Sequence, residues 1–301
     1  MTLFFALLLD ALLGEPHWLW SRLQHPAVLI GNIIAKASDR FNHAPNQKIK
    51  GIILVAALVL CSGSLGVFLS QLGPLIEIIL TAILLAQKSL VQHVQNVAQS
   101  LRMSLTAGRR SVAMIVGRDT AHMDATQVAR SAIESAAENF SDGIVAPVFW
   151  FVIAGLPGLI IYKAINTADS MIGYKTATYI DFGWAAARLD DLVNWVPARL
   201  SAVGIWLATG CKITWSTLAH DAKLHRSPNA GWPEAAMAHA LGISLSGPRS
   251  YSGKMQDFPW VNAYGRKEIG PIDIENSVRT LWTTWSGILV IVVISALLSA
   301  I

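Results

Sequence analysis

Two uncharged stretches, 51–72 (GIILVAALVLCSGSLGVFLSQL) and 281–301 (LWTTWSGILVIVVISALLSAI), constrain this chain more than any other feature. Each matches the roughly 20 apolar residues that carry an α-helix across a bilayer. Lipid satisfies no backbone polar group, so only helices and closed barrels span it. No alternation of the barrel type recurs here, and helices are expected. A third stretch, 74–87 (PLIEIILTAILLAQ), is interrupted only by Glu77, and Gly73-Pro74 makes a connection short enough for an antiparallel hairpin. Residues 2–13 and 198–211 are short for full spans. The stretch 144–162 (IVAPVFWFVIAGLPGLIIY) is long enough, but Gly155, Pro157 and Gly158 fall at its middle, where they would break a single helix. A helical hairpin that dips in and returns fits these letters.

Composition points the same way. Hydrophobic residues make up 53% of the 301 and charged residues only 14%, with a mean hydropathy of +0.47, so the expectation is an all-α integral membrane protein. It would be a bundle of about four to five membrane segments, one of them re-entrant, with helical loops between them. The net charge of +4 comes from scattered basic residues with no Lys/Arg-rich run. That pattern suits topology-setting loop charges, and no nucleic-acid partner is expected. Cys61 and Cys211 lie in apolar stretches without metal or disulfide spacing, and are expected to be packing residues. The N-terminal apolar stretch has no basic leader and is interrupted by Asp10, so it is read as mature protein.

The polar blocks are 14–50, 88–143, 163–197 and 212–280. In the second, Arg130, Glu134, Glu138 and Asp142 recur every four residues and share one helical stripe that runs into an apolar segment. Like charges at that spacing repel. Either Arg130 pairs with Glu134 on a solvated face, or a hard cation such as Mg²⁺ resolves the repulsion. In the third block, Asp169, Asp181, Asp190 and Asp191 interleave with Lys163, Lys175, Arg188 and Arg199, beside Asn166, Thr167, Ser170 and Tyr174. In the fourth, Asn229 sits in a turn between Pro228 and Gly231, and Pro233-Glu234 opens a short helix. The same block is punctuated by turn residues up to Gly253, Gly265 and Gly270. Carboxylates, a divalent metal and basic side chains such as Arg118, Lys163, Lys175 and Arg188 are the apparatus of phosphoryl transfer. No Walker or kinase glycine motif is present, so a nucleotide would be held in another way.

Six separated segments, LLGEPHWLWSRLQHPAVLIGNII, GRDTAHMD, IESAAENFSDGIVAPVFW, INTADSMIGYK, FGWAAARLDDLVNWVPARL and HRSPNAGWPEAAMAHALGI, closely resemble the CobD/CbiB family in the family's order and over nearly the whole chain. The resemblance implies a single membrane-embedded catalytic domain over 1–301, whose blocks 88–143, 163–197 and 212–280 form the active site. It implies an adenosylcobinamide-phosphate synthase, an amide ligase that uses ATP and Mg²⁺ to join adenosylcobyric acid, a corrinoid, to (R)-1-amino-2-propanol or its O-phosphate. On this chain Glu134, Glu138 and Asp142 would hold Mg²⁺. Asp190 and Asp191 would hold a second ion or deprotonate the amine. Arg118, Lys163 and Arg188 would stabilise transferring charge, and Asp119, Asn166, Asp169, Lys175, Asn229 and Glu234 would line the ATP and substrate site. The implied location is the inner (cytoplasmic) membrane, the active site facing the cytoplasm, with the lipid bilayer and other membrane-associated cobalamin-pathway enzymes as partners.

Two other classes compete. A membrane prenyl-diphosphate transferase also uses Asp-rich motifs and Mg²⁺, but NTADSMIG lacks its final acidic position. A transporter would carry charges inside its spans, whereas these cluster beside them. A shared site requires its blocks on one side of the membrane. Single cysteines near residues 120, 175 and 230 should therefore be labelled by an impermeant reagent from the same side. Labelling near 175 from the opposite face alone would exclude a shared site.

Overall fold

The computed structural model describes residues 1–251 and 254–298. Its elements run α1 (Thr2–Leu13), α2 (His17–Trp20), α3 (Pro26–Phe41), α4 (Gln47–Ser70), α5 (Pro74–Leu84), α6 (Gln87–Met103), α7 (Leu105–Val112) and α8 (Ala125–Phe140). A π-helical turn at Ser141–Val145 leads to α9 (Ala146–Ile172), α10 (Trp184–Val193), α11 (Trp195–Ala208), α12 (Trp215–Ala222) and α13 (Gly231–Leu241). The short strands β1 (Leu245–Ser246), β2 (Arg249–Tyr251), β3 (Lys254–Gln256) and β4 (Trp260–Val261) precede α14 (Pro271–Leu298). The turn expected at Gly253 and the last three residues of 281–301 lie outside the described residues.

Four helical stretches, Gln47–Ser70, Pro74–Met103, Ala125–Ile172 and Pro271–Leu298, are long and apolar enough to cross a membrane. The chain is thus a helical, multi-pass integral membrane protein, as the apolar stretches require. Most of α4 faces outward: only 11% of its apolar window is buried inside the protein. Cys61 and Cys211 are both exposed, which corrects the packing role expected for them. Cys61 lies on a helix whose solvent is lipid, where apolar surroundings in sequence do not imply burial in protein, and Cys211 lies beyond the end of α11.

The chain packs as two compact units, 1–86 with 146–195, and 87–145 with 196–301. In the first unit α9 is two helices across a sharp break, with Ala154 at φ −140°, ψ 21° and Gly155 at φ 62°, ψ −155°. The second conformation is one that only glycine adopts readily. On a straight helix residues 150 and 162 would stand about 18 Å apart at 1.5 Å per residue. Yet Trp150 Nε1 donates to the Val193 carbonyl at 3.1 Å and Tyr162 Oη donates to Asn194 Oδ1 at 3.0 Å. The two arms therefore fold back on each other, which is the hairpin that Gly155, Pro157 and Gly158 predict. Glu77, the one acid of α5, brings Oε1 to 4.0 Å from where a Gly155 side chain would begin, placing that acid at the hairpin's turn. A core of Ile34, Val55, Ala168, Ile172, Phe182 and Ala186 joins α3, α4, α9 and α10.

The second unit holds α6, α7, α8, α13 and α14 around a core that includes Val94, Val97, Val128, Ile133 and Leu281. Its helix α8 starts at a capping box. Asp124 Oδ1 accepts the Gln127 N–H at 2.7 Å, and Gln127 Oε1 accepts the Asp124 N–H at 2.9 Å. Strand β1 pairs antiparallel with β4, Leu245 opposite Val261 and Ser246 opposite Trp260.

Gly66 of α4 is where the hairpin comes closest. A Cβ there would sit 2.5 Å from the Pro157 Cα, a backbone atom that has no rotamer to escape into. Overpacking of this kind costs about 1–3 kcal/mol. Gly66→Val is expected to lower the melting temperature in detergent by several degrees, whereas Gly73→Ala, with no heavy atom within 4 Å of its Cβ, tests only the strain of its φ of 102°. An unchanged melting temperature for Gly66→Val would mean that α4 and the hairpin do not pack as described.

Candidate active site

The deepest charge in the second unit is Glu134, in the middle of α8, with its side chain 1% exposed. Oε2 accepts from Arg118 Nη2 at 2.9 Å and from Arg249 Nη1 at 3.2 Å. Oε1 accepts the Ser246 N–H at 2.7 Å and Arg249 Nη2 at 3.3 Å. Ser246 delivers its N–H from a left-handed conformation, φ 63°, followed by Gly247 at φ 76°. Arg249 Nη2 also donates to Ser246 Oγ at 2.7 Å. A carboxylate so far from water needs such a full set of donors.

Arg130, the expected partner of Glu134 on the helical stripe, instead donates to the carbonyls of Lys267 (2.9 Å) and Ser244 (3.4 Å). Its guanidinium also lies over the Trp260 ring, 4.7 Å from the centroid. The stripe pairing is thus replaced by contacts that tie α8 to the loop after α13.

Beside Glu134 opens a cleft of about 540 Å³ lined by Arg118, Arg130 and Arg249, with Asp119, Ser131 and Ser246 among its polar walls. A smaller pocket of about 210 Å³ shares Ser246 and Arg249 and adds His225, Arg226 and Phe258. The Arg226 and Arg249 guanidiniums lie 5.6 and 5.3 Å from the Phe258 ring centroid. Three guanidiniums around one cavity make a site for a polyanion, since each brings a planar fork matched to phosphate oxygens.

Glu234 is buried at 2% exposure on α13. Its Oε1 is 3.7 Å from His225 Nε2, and its Oε2 has no hydrogen-bond partner. Burial, followed by the charges of Glu134 and Glu138, holds this carboxyl well above the usual range. His225 is driven down to about 4, first by burial and then by Arg249, so it is a neutral imidazole near pH 7. Asn229, also buried, accepts from Arg199 Nη1 at 3.5 Å. Glu138 is exposed and Asp142 half-buried. Asp142 lies in the π turn, where five-residue spacing interrupts the four-residue stripe.

Among the described residues, no group of three or more His, Cys, Asp or Glu side chains is arranged to hold a metal ion. Both oxygens of Glu134 are occupied by cationic and amide donors. A hard cation fits better at the orphaned Glu234 Oε2, in the combined field of Glu134 and Glu138, where it would satisfy a buried oxygen and displace the proton.

The remaining expected residues belong to the first unit. Asp190 accepts from Asn166 Nδ2 at 3.3 Å, and burial raises it to about 6 despite the Asn166 and Asn194 hydrogen bonds. Asp191 is raised by burial against the opposing pull of Arg188 and Lys175, and all three line a separate cleft of about 560 Å³. Lys163 and Asp169 are half-buried on α9. Each accepts a hydrogen bond through its backbone carbonyl, Lys163 from Thr167 Oγ1 and Asp169 from the Gly173 N–H, both at 2.7 Å. The structure thus brings Arg118, Asp119 and Glu134 together at one cleft and Lys175, Arg188 and Asp191 at another. His225, Ser246 and Arg249 lie in the turn-punctuated stretch 225–253, whose pattern fits a loop shaping a pocket for a large polar ligand, but no motif there singles out these three side chains.

The matching family model is that of the CobD/CbiB protein, over residues 3–281. The chain is 47% identical to the cobalamin biosynthesis protein CobD of Rhizobium meliloti (strain 1021), over 95% of this chain and 93% of that protein. It is 46% identical to the protein of the same name from Brucella suis biovar 1, with the same coverage of each. For the one from Rhodobacter capsulatus the identity is 43%, over 96% of this chain and 95% of that protein. No solved structure matches. Fold and matches together define a multi-pass membrane protein of a biosynthetic family. The chain belongs to the CobD/CbiB family.

The raised Asp190 has a consequence for stability. Its unfolded carboxyl titrates near 3.8 and its folded one near 6. Between those values the folded state alone keeps the proton, so stability falls as pH rises through that window. Asp190→Asn removes the titration and keeps the shape. The melting temperature of the variant relative to the parent should climb by a few degrees from pH 4 to pH 7.5, and a constant difference would contradict the assignment.

Proposed function

We propose that this protein is an ATP-dependent amide ligase of cobalamin biosynthesis that joins the free propionate of adenosylcobyric acid to (R)-1-amino-2-propanol or its O-phosphate. The relatives' names supply the pathway. The observation that carries the chemistry is the cleft ringed by Arg118, Arg130 and Arg249 beside a buried Glu234 whose carboxyl is held well above its usual range.

A carboxylate is a poor acyl donor until one oxygen becomes a good leaving group. In the proposed reaction that oxygen attacks the γ-phosphorus of ATP and ADP departs. The amine nitrogen then attacks the acyl carbon, and inorganic phosphate leaves with one former carboxylate oxygen. The amine's proton passes to the departing phosphate or to solvent. The guanidiniums of Arg118, Arg130 and Arg249 hold the phosphates and stabilise charge on the transferring group. Glu134 keeps Arg118 and Arg249 oriented, as bidentate and shared hydrogen bonds fix a guanidinium plane. Mg²⁺, held at Glu234 with Glu138, would neutralise charge on the phosphates. Because ATP is cytoplasmic, the cleft faces the cytoplasm from the inner membrane.

Purified protein in detergent, given ATP, Mg²⁺, adenosylcobyric acid and each amine in turn, should yield the amide with equal ADP and phosphate. With the propionate labelled with ¹⁸O, one label should appear in the phosphate; product formed without that transfer would rule out the acyl phosphate. Arg249→Ala should lower kcat/KM by about 10²–10³, the usual effect of removing one charge-stabilising donor. Glu138→Gln should abolish turnover without unfolding the protein, and full activity in it would remove Glu138 from the metal site.

A further inference from the structure

The first unit carries a pair of cavities that meet on α10 and that the reaction above leaves unused. Trp184, Ala187, Arg188 and Asp191 recur at helical spacing and border the polar cleft of about 560 Å³, with Tyr174 and Lys175 on its other side. The adjacent stripe, Ala185, Leu189 and Leu192, borders an open groove enclosing about 1070 Å³, whose opposite wall is α4 from Ile52 to Leu60. Trp184 and Arg188 border both spaces. The two therefore adjoin along α10, a charged compartment beside an apolar one.

Polarity also changes along the groove. At one end Lys48 Nζ sits 4.1 Å over the Trp184 ring. At the other, Leu60 and Leu192 are each 70% exposed, on a membrane-spanning helix and its neighbour, where the solvent is hydrocarbon. Tryptophan and tyrosine flanked by lysine and arginine mark the headgroup level of a bilayer. In the polar cleft Lys175 and Arg188 carry two positive charges against the single negative charge of Asp191. The surplus of one, with Lys48 nearby, complements a phosphodiester monoanion, and Asp191 is an acceptor suited to headgroup hydroxyls.

We infer that this feature binds one anionic glycerophospholipid, its phosphodiester held by Lys175 and Arg188 and one acyl chain lying between α4 and α10. An isolated lysine or arginine snorkelling from a span would not be joined to a second basic residue, an acid and a shaped cleft. A free phosphate would fill the polar cleft and leave the groove without a role.

The full-length protein in phosphatidylcholine nanodiscs, doped with phosphatidylglycerol carrying a diazirine in one acyl chain, tests this by photocrosslinking and peptide mapping. Adducts should concentrate on peptides covering 52–60 and 184–192, and unlabelled phosphatidylglycerol should compete while inorganic phosphate should not. Ala56→Trp fills the groove and Arg188→Gln removes the headgroup cation. Both positions are exposed, so both variants should elute and melt like the parent. Each should lower the adduct yield about fivefold, the factor expected for one interfacial cation or its equivalent. Three results would overturn the inference: adducts spread evenly over α4 and α14 and insensitive to both variants, which is ordinary annular contact; competition by inorganic phosphate alone; or crosslinks between two copies of the chain through the groove.

Discussion

The burial of Glu134 is the constraint on which the second unit depends. A carboxylate at 1% exposure is tolerable only with its donors in place, and removing one partner of a buried pair costs roughly 3–5 kcal/mol. Here the donors come from two parts of the chain: Arg118 before α8, and the neighbouring Ser246 and Arg249 on β1 and β2, more than a hundred residues beyond Glu134. One side chain thus ties the loop after α13 to α8 and sets the planes of two guanidiniums. Arg130 adds a second tie between the same parts through the Ser244 and Lys267 carbonyls. The arginine-lined cleft follows from these ties, because three guanidiniums around one cavity repel one another unless they are held.

Glu234 and His225 give that cleft an unusual electrical balance. Both are close to the guanidiniums: His225 is neutral near pH 7, and burial with the charges of Glu134 and Glu138 holds the Glu234 carboxyl well above its usual range. Glu134 answers Arg118 and Arg249 inside the protein, and the three guanidiniums outnumber the carboxylates of Glu134 and Asp119 around the cleft. This arrangement also departs from what spacing alone would make one acidic trio: Glu134 orients arginines from α8, and Glu234 stands apart on α13 with one oxygen that no donor meets.

The membrane architecture was legible in the sequence because its cause is local. Twenty apolar residues suffice to state a span, and Gly155, Pro157 and Gly158 suffice to state a break. The hairpin closes as they require, with Trp150 and Tyr162 both reaching the end of α10. The site was legible only in part. The four-residue acidic stripe identifies α8 as important, but its partners are settled by tertiary contacts more than a hundred residues away, as Ser246 and Arg249 are from Glu134. Arg249 sits in a stretch with no distinctive motif. The exposure of Cys61 is hidden in the sequence for the opposite reason: lipid-facing and core-facing apolar residues look alike in a string of letters.

The most direct measurement is an experimental map of the protein with Mg²⁺ and a non-hydrolysable ATP analogue. The β- and γ-phosphates should lie within hydrogen-bond distance of Arg118, Arg130 and Arg249, with the ion against Glu234. Phosphates bound elsewhere, with Glu234 still protonated and the three guanidiniums untouched by ligand, would contradict this placement.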